Sequence, residues 1–211
     1  MLSRGARRDR ARARRTLALR WLVVVWALVL CALSSGAAGA AELEEANPDL
    51  AAQLHLKILS YDRNLQPRSH GKLMLGILFR PDREESERAR GLMQAAFFGR
   101  VGRASVQGMT LSVTSIACGD LKTLQKRLQD AGVTLLYLTP GLEDLAGAIH
   151  AIAQNLQAPT LSGQRSLIDA GAAIAVITKD DKPGIVVNLP AAKALGMDLD
   201  TLLLRLAEVK R

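Results

Sequence analysis

The residues that could bind a small ligand lie just after predicted strands. Arg80, Asp120, Thr139 and Ser162 each follow, within a few residues, an apolar run of strand length. In an open parallel sheet, ligands bind outside the carboxyl ends of the strands, near a reversal of strand order. Polar side chains close to helix N-termini suit a small anion there. These four are therefore candidate ligand-binding residues, although ordinary loop polarity explains them equally well.

Residue sets that would catalyse a reaction are not evident in the sequence. His55, His70 and His150 lie in unrelated segments without metal-type spacing, so we expect surface or capping histidines and no metal. No Gly-x-Ser-x-Gly motif is present. The basic loop 99–102 could hold an anion, but its glycine spacing matches neither phosphate-binding pattern. We expect a protein without enzymatic activity or cofactor.

A second polar cluster directly follows the first predicted helix. It contains Tyr61, Asp62, Arg63 and Asn64. Such a cluster is either a solvated helix C-terminus or a corner that contacts a partner, and the sequence leaves both interpretations open.

The first 40 residues have the three zones of a secretory leader. Eight arginines precede an apolar run, residues 21–33, that is too short to span a bilayer. Small residues follow, and Ala38-Gly39-Ala40 suits cleavage after Ala40. We therefore predict a signal peptide at 1–40, a flexible stub at 41–47, a domain at 48–211 and a periplasmic location. A retained anchor stays open, and so does the choice between general and twin-arginine export, because Arg14-Arg15 is one pair among many arginines.

Cleavage would change the electrostatic character of the chain. The leader holds 8 of the 28 basic and 1 of the 20 acidic residues, which leaves 20 against 19 and a net charge of +1. Both tryptophans also lie in the leader. The mature chain therefore lacks the basic surface and the aromatic platforms of a nucleic-acid-binding protein. It keeps one cysteine, Cys118, which we expect to be a buried small apolar residue.

Strands and helices alternate through most of the mature chain. Asn47 and Pro48 predict a helix start, and Leu50, Leu54 and Ile58 recur on a face expected to lie on the core. The further predicted strands are 72–79, 110–117, 133–138 and 158–161, and the further predicted helices lie at 83–98, 120–132 and 142–152. This alternation predicts a single α/β domain whose mostly parallel sheet has helices on both faces.

The last fifty residues depart from that alternation. Residues 172–178 and 184–188 flank a charged turn and predict an antiparallel hairpin at the edge of the sheet. A short helix over 190–195 follows, and Leu199, Leu202, Leu203 and Leu206 predict a closing amphipathic helix.

This C-terminal part resembles the YfiR-like periplasmic proteins. In that family a strand leads into Asn-Leu, an alanine-rich helix with glycine follows, and a Leu-Leu-x-Leu-Ala helix comes last. The corresponding segments here are Ile185-Val186-Val187-Asn188-Leu189-Pro190-Ala191-Ala192-Lys193-Ala194-Leu195-Gly196-Met197 and Leu202-Leu203-Leu204-Arg205-Leu206-Ala207. Residues 158–162 and 170–174 are also similar to the family's preceding strand and hairpin entry.

The resemblance implies a regulatory role without catalysis. In the type member, the domain inhibits an inner-membrane diguanylate cyclase by binding its periplasmic sensor part. The implied partner here is a membrane signalling protein of the cyclase or sensor-kinase type, with a homodimer left open; the rival is a solute-binding module for a small anion. The type member's redox-sensitive cysteine pairs have no counterpart beside Cys118, and Ser60-Tyr61-Asp62-Arg63 replaces a tryptophan-proline.

Overall fold

The first described helix begins where the sequence predicts. A computed structural model describes residues 47–179 and 182–211, so the predicted leader and the stub up to residue 46 lie outside the described residues. The side chain of Asn47 accepts hydrogen bonds from the backbone N–H groups of Asp49 and Leu50. Pro48 occupies the first helical position, where its missing N–H has no intrahelical partner to lose.

Eight helices, one 3₁₀ turn and eight strands follow one another in the described residues. In chain order they are α1 (Pro48–Leu59), α2 (Leu65–Ser69), β1 (Leu73–Phe79), α3 (Glu84–Phe98), β2 (Ser105–Val106), β3 (Met109–Ala117), α4 (Leu121–Asp130), β4 (Leu135–Leu138), the 3₁₀ turn (Glu143–Leu145), α5 (Ala146–Leu156), β5 (Thr160–Ser162), α6 (Arg165–Asp169), β6 (Ile174–Lys179), β7 (Lys182–Asn188), α7 (Leu189–Ala194), α8 (Thr201–Leu206) and β8 (Glu208–Lys210).

All eight strands belong to one mostly parallel sheet. Its order is β2-β3-β1-β4-β5-β6-β7-β8, and the five neighbouring strands from β3 to β6 are parallel. The chain passes from β1 to β3 on one side and then returns to β4 on the other, so the strand order reverses at β1. Right-handed crossovers place α3 on one face and α4 and α5 on the other. The single α/β domain with a largely parallel sheet is confirmed.

Burial explains why the central strands are continuous apolar runs. All four residues of β4 are buried, and so are the first four of β6. A strand covered on both faces needs apolar side chains in both directions, which removes the alternation of a half-exposed strand. Gly76 in β1 permits close packing, because a Cβ there would lie 3.0 Å from a methyl group of Val133.

The C-terminal elements differ from the prediction in two respects. The β6–β7 pair is antiparallel as predicted, but β7 is not at the edge, because β8 pairs with it in parallel. Helix α8 is shorter than the predicted leucine stripe, and Leu202 and Leu206 are 60% and 77% exposed. Only Leu199 and Leu203 of that stripe are buried, since the chain turns into a strand soon after.

A buried ion pair joins the two ends of the domain. Asp62 is fully buried, and its Oδ2 lies 2.7 Å from Nη2 of Arg68, whose side chain is 9% exposed. The other carboxylate oxygen accepts the backbone N–H groups of Asn64 and Asp198. Nη1 of Arg68 donates to the carbonyl oxygen of Gly196. The corner after α1 is thereby held to residues 196–200.

These contacts correct one interpretation of the polar cluster. Asp62 is not accessible to a partner in this structure, because its carboxylate is used inside the domain. Its neighbour Arg63 is exposed and pairs with Asp200, and Tyr61 is half-buried. The residues of this cluster that keep exposed surface are Tyr61, Arg63 and Asn64.

Asp62→Asn is expected to lower the free energy of unfolding by about 3 kcal/mol, because it leaves the Arg68 guanidinium buried without a carboxylate. Urea denaturation measures the change. Lys126→Gln, which removes an exposed pair with Asp130, is the control and should cost less than about 0.5 kcal/mol. Equal effects of the two substitutions would contradict the structural role of Asp62.

Candidate functional site

Arg80 lies at the carboxyl end of β1, where the strand order reverses. Its guanidinium donates to both carboxylate oxygens of Asp82 and to both of Asp144, at 2.9 to 3.2 Å. The hydrogen bond to Asp82, followed by that to Asp144, raises the pKa of Arg80 above its ordinary value, and the same contact lowers the pKa of Asp82. Two carboxylates thus neutralise Arg80, which the sequence predicted as a residue that binds an anionic ligand.

Thr139 and Ser162 are buried at the ends of the next two strands. The Thr139 hydroxyl donates to the carbonyl oxygen of Leu78 and lies 2.6 Å from the hydroxyl of Ser86, which also accepts the backbone N–H of Arg80. The Ser162 hydroxyl donates to the carbonyl oxygen of Leu138 and accepts the backbone N–H of Gln164. These hydroxyls connect loops to strands, and their hydrogen bonds are made within the protein.

Asp120 acts as a helix cap at the same edge. Its Oδ1 accepts the backbone N–H of Lys122, and its Oδ2 accepts the hydroxyl of Thr123. Cys118 is 3% exposed, and burial raises the pKa of its thiol, as expected of a small apolar residue. The structure thus links Arg80 to Thr139 through Ser86, whereas the contacts of Asp120 are with its own helix.

The loops at this edge are richer in acids than in bases. Acidic residues that follow the strands, in the loops or in the first turn of the next helix, include Asp82, Glu84, Glu85, Asp120, Glu143 and Asp144. Glu143 accepts a hydrogen bond from Ser166, which closes another loop contact. Sequence analysis missed Ser86 and Asp144, because only the fold brings them to Arg80. The edge is suited to holding loops together rather than to attracting an anion.

His55 is a buried polar residue that sequence analysis placed at the surface. It is fully buried in α1, with its ring centroid 5.7 Å from that of Tyr137 and 6.4 Å from that of Phe97. Neither ring nitrogen has a hydrogen bond of normal geometry. Burial lowers the pKa of His55 to about 3, and the backbone of Ser162 partly offsets this effect. The sequence signal that could have predicted this burial is the position of His55 four residues after Ala51, which places both on the core face of the helix.

The other two histidines are at less buried positions. His70 is exposed and ends α2 in a left-handed conformation, as a capping residue does. His150 is half-buried in α5. Within residues 47–179 and 182–211, no group of three or more His, Cys, Asp or Glu side chains is arranged to hold a metal ion.

An open groove of about 800 Å³ lies between α1 and the segment that joins α3 to β2. Leu50 and Leu54 of α1 and Val106 of β2 form its apolar floor. The predicted core face of α1 is correct in part: Ile58 is buried and Leu54 packs against the core, but Leu50 is 39% exposed. The buried residues of α1 are Ala51, Ala52, His55, Leu56, Ile58 and Leu59. We call this feature the α1 groove.

Basic residues line the rim of the α1 groove. They are Lys57, Arg100 and Arg103. Arg100 donates to the backbone oxygen of Asp49 and lies 3.7 Å from its carboxylate. In the described part of the chain, Lys57 and Arg103 have no carboxylate partner within ion-pair distance, and the residues that line the groove include no acid. Loop 99–102, noted in the sequence for its basic character, thus contributes to this groove.

A family model decides the classification. The model described as YfiR/HmsC-like matches residues 91–208, which is more than half of the chain. The chain belongs to the YfiR/HmsC-like family. The matched region of this YfiR/HmsC-like protein runs from α3 into β8 and includes the whole C-terminal segment that carries the resemblance. Membership supports a periplasmic regulatory role.

Solved structures of similar fold come from other proteins. An ABC domain in complex with L-Trp from Streptococcus pneumonia has a TM-score of 0.54 at 11% identity over 78% of this chain. A conserved domain protein from Vibrio cholerae has a TM-score of 0.53 at 13% identity and covers 77% of this chain. A ligand-free, open substrate-binding protein from Clostridium difficile has a TM-score of 0.50 at 12% identity and covers 70% of this chain. The YfiR/HmsC-like chain covers 60%, 60% and 57% of these structures. At such identities the likeness shows the fold alone.

No curated protein matches the YfiR/HmsC-like chain. Among the helices of residues 47–179 and 182–211, none combines the length and the apolar character needed to cross a membrane.

The buried His55 is expected to make stability depend on pH. Its pKa is lower in the folded than in the unfolded chain, so its contribution is complete above pH 6.5 and is lost as pH falls toward 3. The difference in free energy of unfolding between the native protein and His55→Leu should change by about 2 kcal/mol between pH 7 and pH 5. Chemical denaturation at each pH measures it, with His70→Asn as the control for an exposed histidine. A pH-independent difference would show that His55 titrates alike in both states.

Proposed function

We propose that the protein is a periplasmic regulator that controls an inner-membrane signalling protein, of the diguanylate cyclase or sensor-kinase type, by direct contact. The observation that carries this proposal is the family match over residues 91–208. It acts without catalysis, through surfaces of a rigid domain. Tyr61 and Arg63, at the corner after α1, belong to the contact surface, and a homodimer is compatible with this role.

The hydrogen bonds at the strand-end edge support a structural role for its polar side chains rather than a catalytic one. The polar side chains that sequence analysis selected there are engaged in hydrogen bonds that hold loops and strands together. A nucleophile needs a neighbouring base, and the buried Ser86 and Thr139 hydroxyls have each other, a backbone carbonyl and a backbone N–H instead. His55 is neutral and lies within the aromatic cluster of the core.

Capture of the partner tests this function directly. The chain, tagged and expressed with its own leader in its native host, should recover a membrane cyclase or kinase from detergent-solubilised membranes, identified by mass spectrometry. An unrelated exported protein with the same tag is the control. Deletion of the gene should change the cyclic-di-GMP level or the kinase output severalfold. Recovery of soluble proteins alone, with unchanged output, would contradict the proposal.

The second candidate function is capture of a small anionic solute at the strand ends. The strand-order reversal at β1 favours it, as does the likeness to a substrate-binding protein and to a domain in complex with L-Trp. The neutralised Arg80 weighs against it, because an anion would have to displace Asp82 or Asp144.

Thermal unfolding in the presence of ligands separates the two functions. Phosphate, dicarboxylates and amino acids at millimolar concentration are expected to shift the melting temperature by less than about 1 °C, because a solute that does not bind the folded protein does not stabilise it. A ligand that raises it by several degrees, with the rise lost in Arg80→Gln, would favour the solute-binding function instead.

A further inference from the structure

We propose that the α1 groove binds an acidic amphipathic helix from the periplasmic part of the membrane partner. The proposal rests on the proposed function and adds the site and the chemistry of the contact. An apolar stripe flanked by acidic side chains is the surface that such a helix would present.

The floor of the groove is an apolar stripe that the described residues cover only in part. Leu50 and Leu54 are one helical turn apart on α1, and both line the groove. Leu50 is 39% exposed, whereas the opposite face of α1 is buried in the core. The apolar surface of α1 is therefore wider than the face that packs on the core, and the additional apolar side chains face the groove.

The charge of the rim determines which helix would be accepted. Three cations surround the floor, and among residues 47–179 and 182–211 Asp49 is the only acid paired with any of them, through Arg100. Lys57 and Arg103 remain available for carboxylates of a partner. A segment with acidic flanks would gain these pairs, and a basic segment would be repelled. Because the mature chain has a net charge of only +1, this selectivity is local rather than global.

The shape of the groove suits one face of a helix better than an enclosed solute. Its volume of about 800 Å³ would accommodate several side chains, and one side opens to solvent. Pockets for small ligands commonly enclose most of the ligand surface, which an open groove does not. A helix laid into a groove buries only its apolar stripe and keeps its polar face in water.

The groove is continuous with the corner where sequence analysis placed a partner contact. Ser60 lines the groove, and Nζ of Lys57 lies 5.4 Å from the centre of the Tyr61 ring. Nε2 of Gln107 donates to the backbone oxygens of Ser60 and Asp62, which fixes the corner against the turn between β2 and β3. A helix in the groove would therefore lie close to Tyr61.

Titration with designed peptides tests the groove. The probe is an 18-residue helix with a leucine stripe flanked by glutamates, and its matched control has lysine at every glutamate. The exported chain, labelled for NMR, should show shift changes at Leu50, Leu54 and Lys57 with the acidic peptide, and at least tenfold weaker binding of the basic one. Equal binding of the two peptides, or shifts confined to other surfaces, would overturn the proposal.

Variants of the rim supply the second comparison. The double substitution Lys57→Glu and Arg103→Glu should weaken binding of the acidic peptide at least tenfold. The double substitution Lys122→Glu and Lys126→Glu makes the same charge change at exposed positions of α4, and its affinity for the peptide should stay within twofold of the native value. An unchanged melting temperature shows that the rim variant is folded. Leu50→Ser should weaken binding about fivefold through the floor alone.

Three other occupants are outcomes of the same experiment. Residues 41–46, Ala-Glu-Leu-Glu-Glu-Ala, are themselves acidic. If Glu42→Lys, Glu44→Lys and Glu45→Lys together increase binding of the acidic peptide, the groove is occupied by this segment of the same chain, and the proposal is overturned. A concentration-dependent dimer that the rim variant abolishes would assign the groove to a second copy. Binding to phosphatidylglycerol vesicles without binding to the acidic peptide would assign it to a lipid surface.

Membrane capture distinguishes failure of the groove from failure of the function. Recovery of the signalling protein by the native chain and the α4 variant, but not by the rim variant, supports the groove. Equal recovery by all three overturns the groove and leaves the regulatory function intact. Recovery by none overturns both.

Discussion

The buried contact between Asp62 and Arg68 is the constraint on which the arrangement of the N-terminal part depends. It joins the corner after α1 to residues 196–200, more than 130 positions away, through one carboxylate, one guanidinium and three backbone groups. Because the carboxylate is fully buried, every one of these partners must be in place together. The same corner sets where α1 ends, and with it the wall of the α1 groove that carries Leu54 and Lys57. A polar pair inside the domain thus determines the position of a surface feature.

Much of the fold could be predicted, because two-sided burial leaves a clear mark on the sequence. The runs that became β1 and β4 are apolar throughout, and Asn47, Pro48 and Asp120 are local signals that need no distant partner. The closing helix was overestimated for the opposite reason. The leucine stripe continues through Leu206, but β8 pairs with β7 and ends the helix early. Pairing between strands that are distant in sequence does not appear in a local periodicity.

The candidate site was less predictable than the fold. Sequence analysis located Arg80, Thr139 and Ser162 at strand ends correctly, yet whether a polar group is free or engaged depends on residues brought to it by the fold. Asp144 is 64 positions from Arg80 and gives no signal in the sequence. The α1 groove was not predicted for a related reason: Leu50 and Leu54 have the spacing of a core face, and the sequence does not show that the described elements leave Leu50 exposed. In this domain the polar side chains at the strand-end edge are engaged in internal hydrogen bonds, whereas the α1 groove is open to solvent.

The distance along the chain between Asp62 and its partners at 196–200 also has a consequence for biogenesis. The corner can form only after nearly all of the domain has emerged from the ribosome. Until then the polar corner after α1 lacks its partners at 196–200, so a segment that is made early is among the last to become native. During that interval the unfinished chain exposes apolar surface that can aggregate, which makes it a natural client of chaperones.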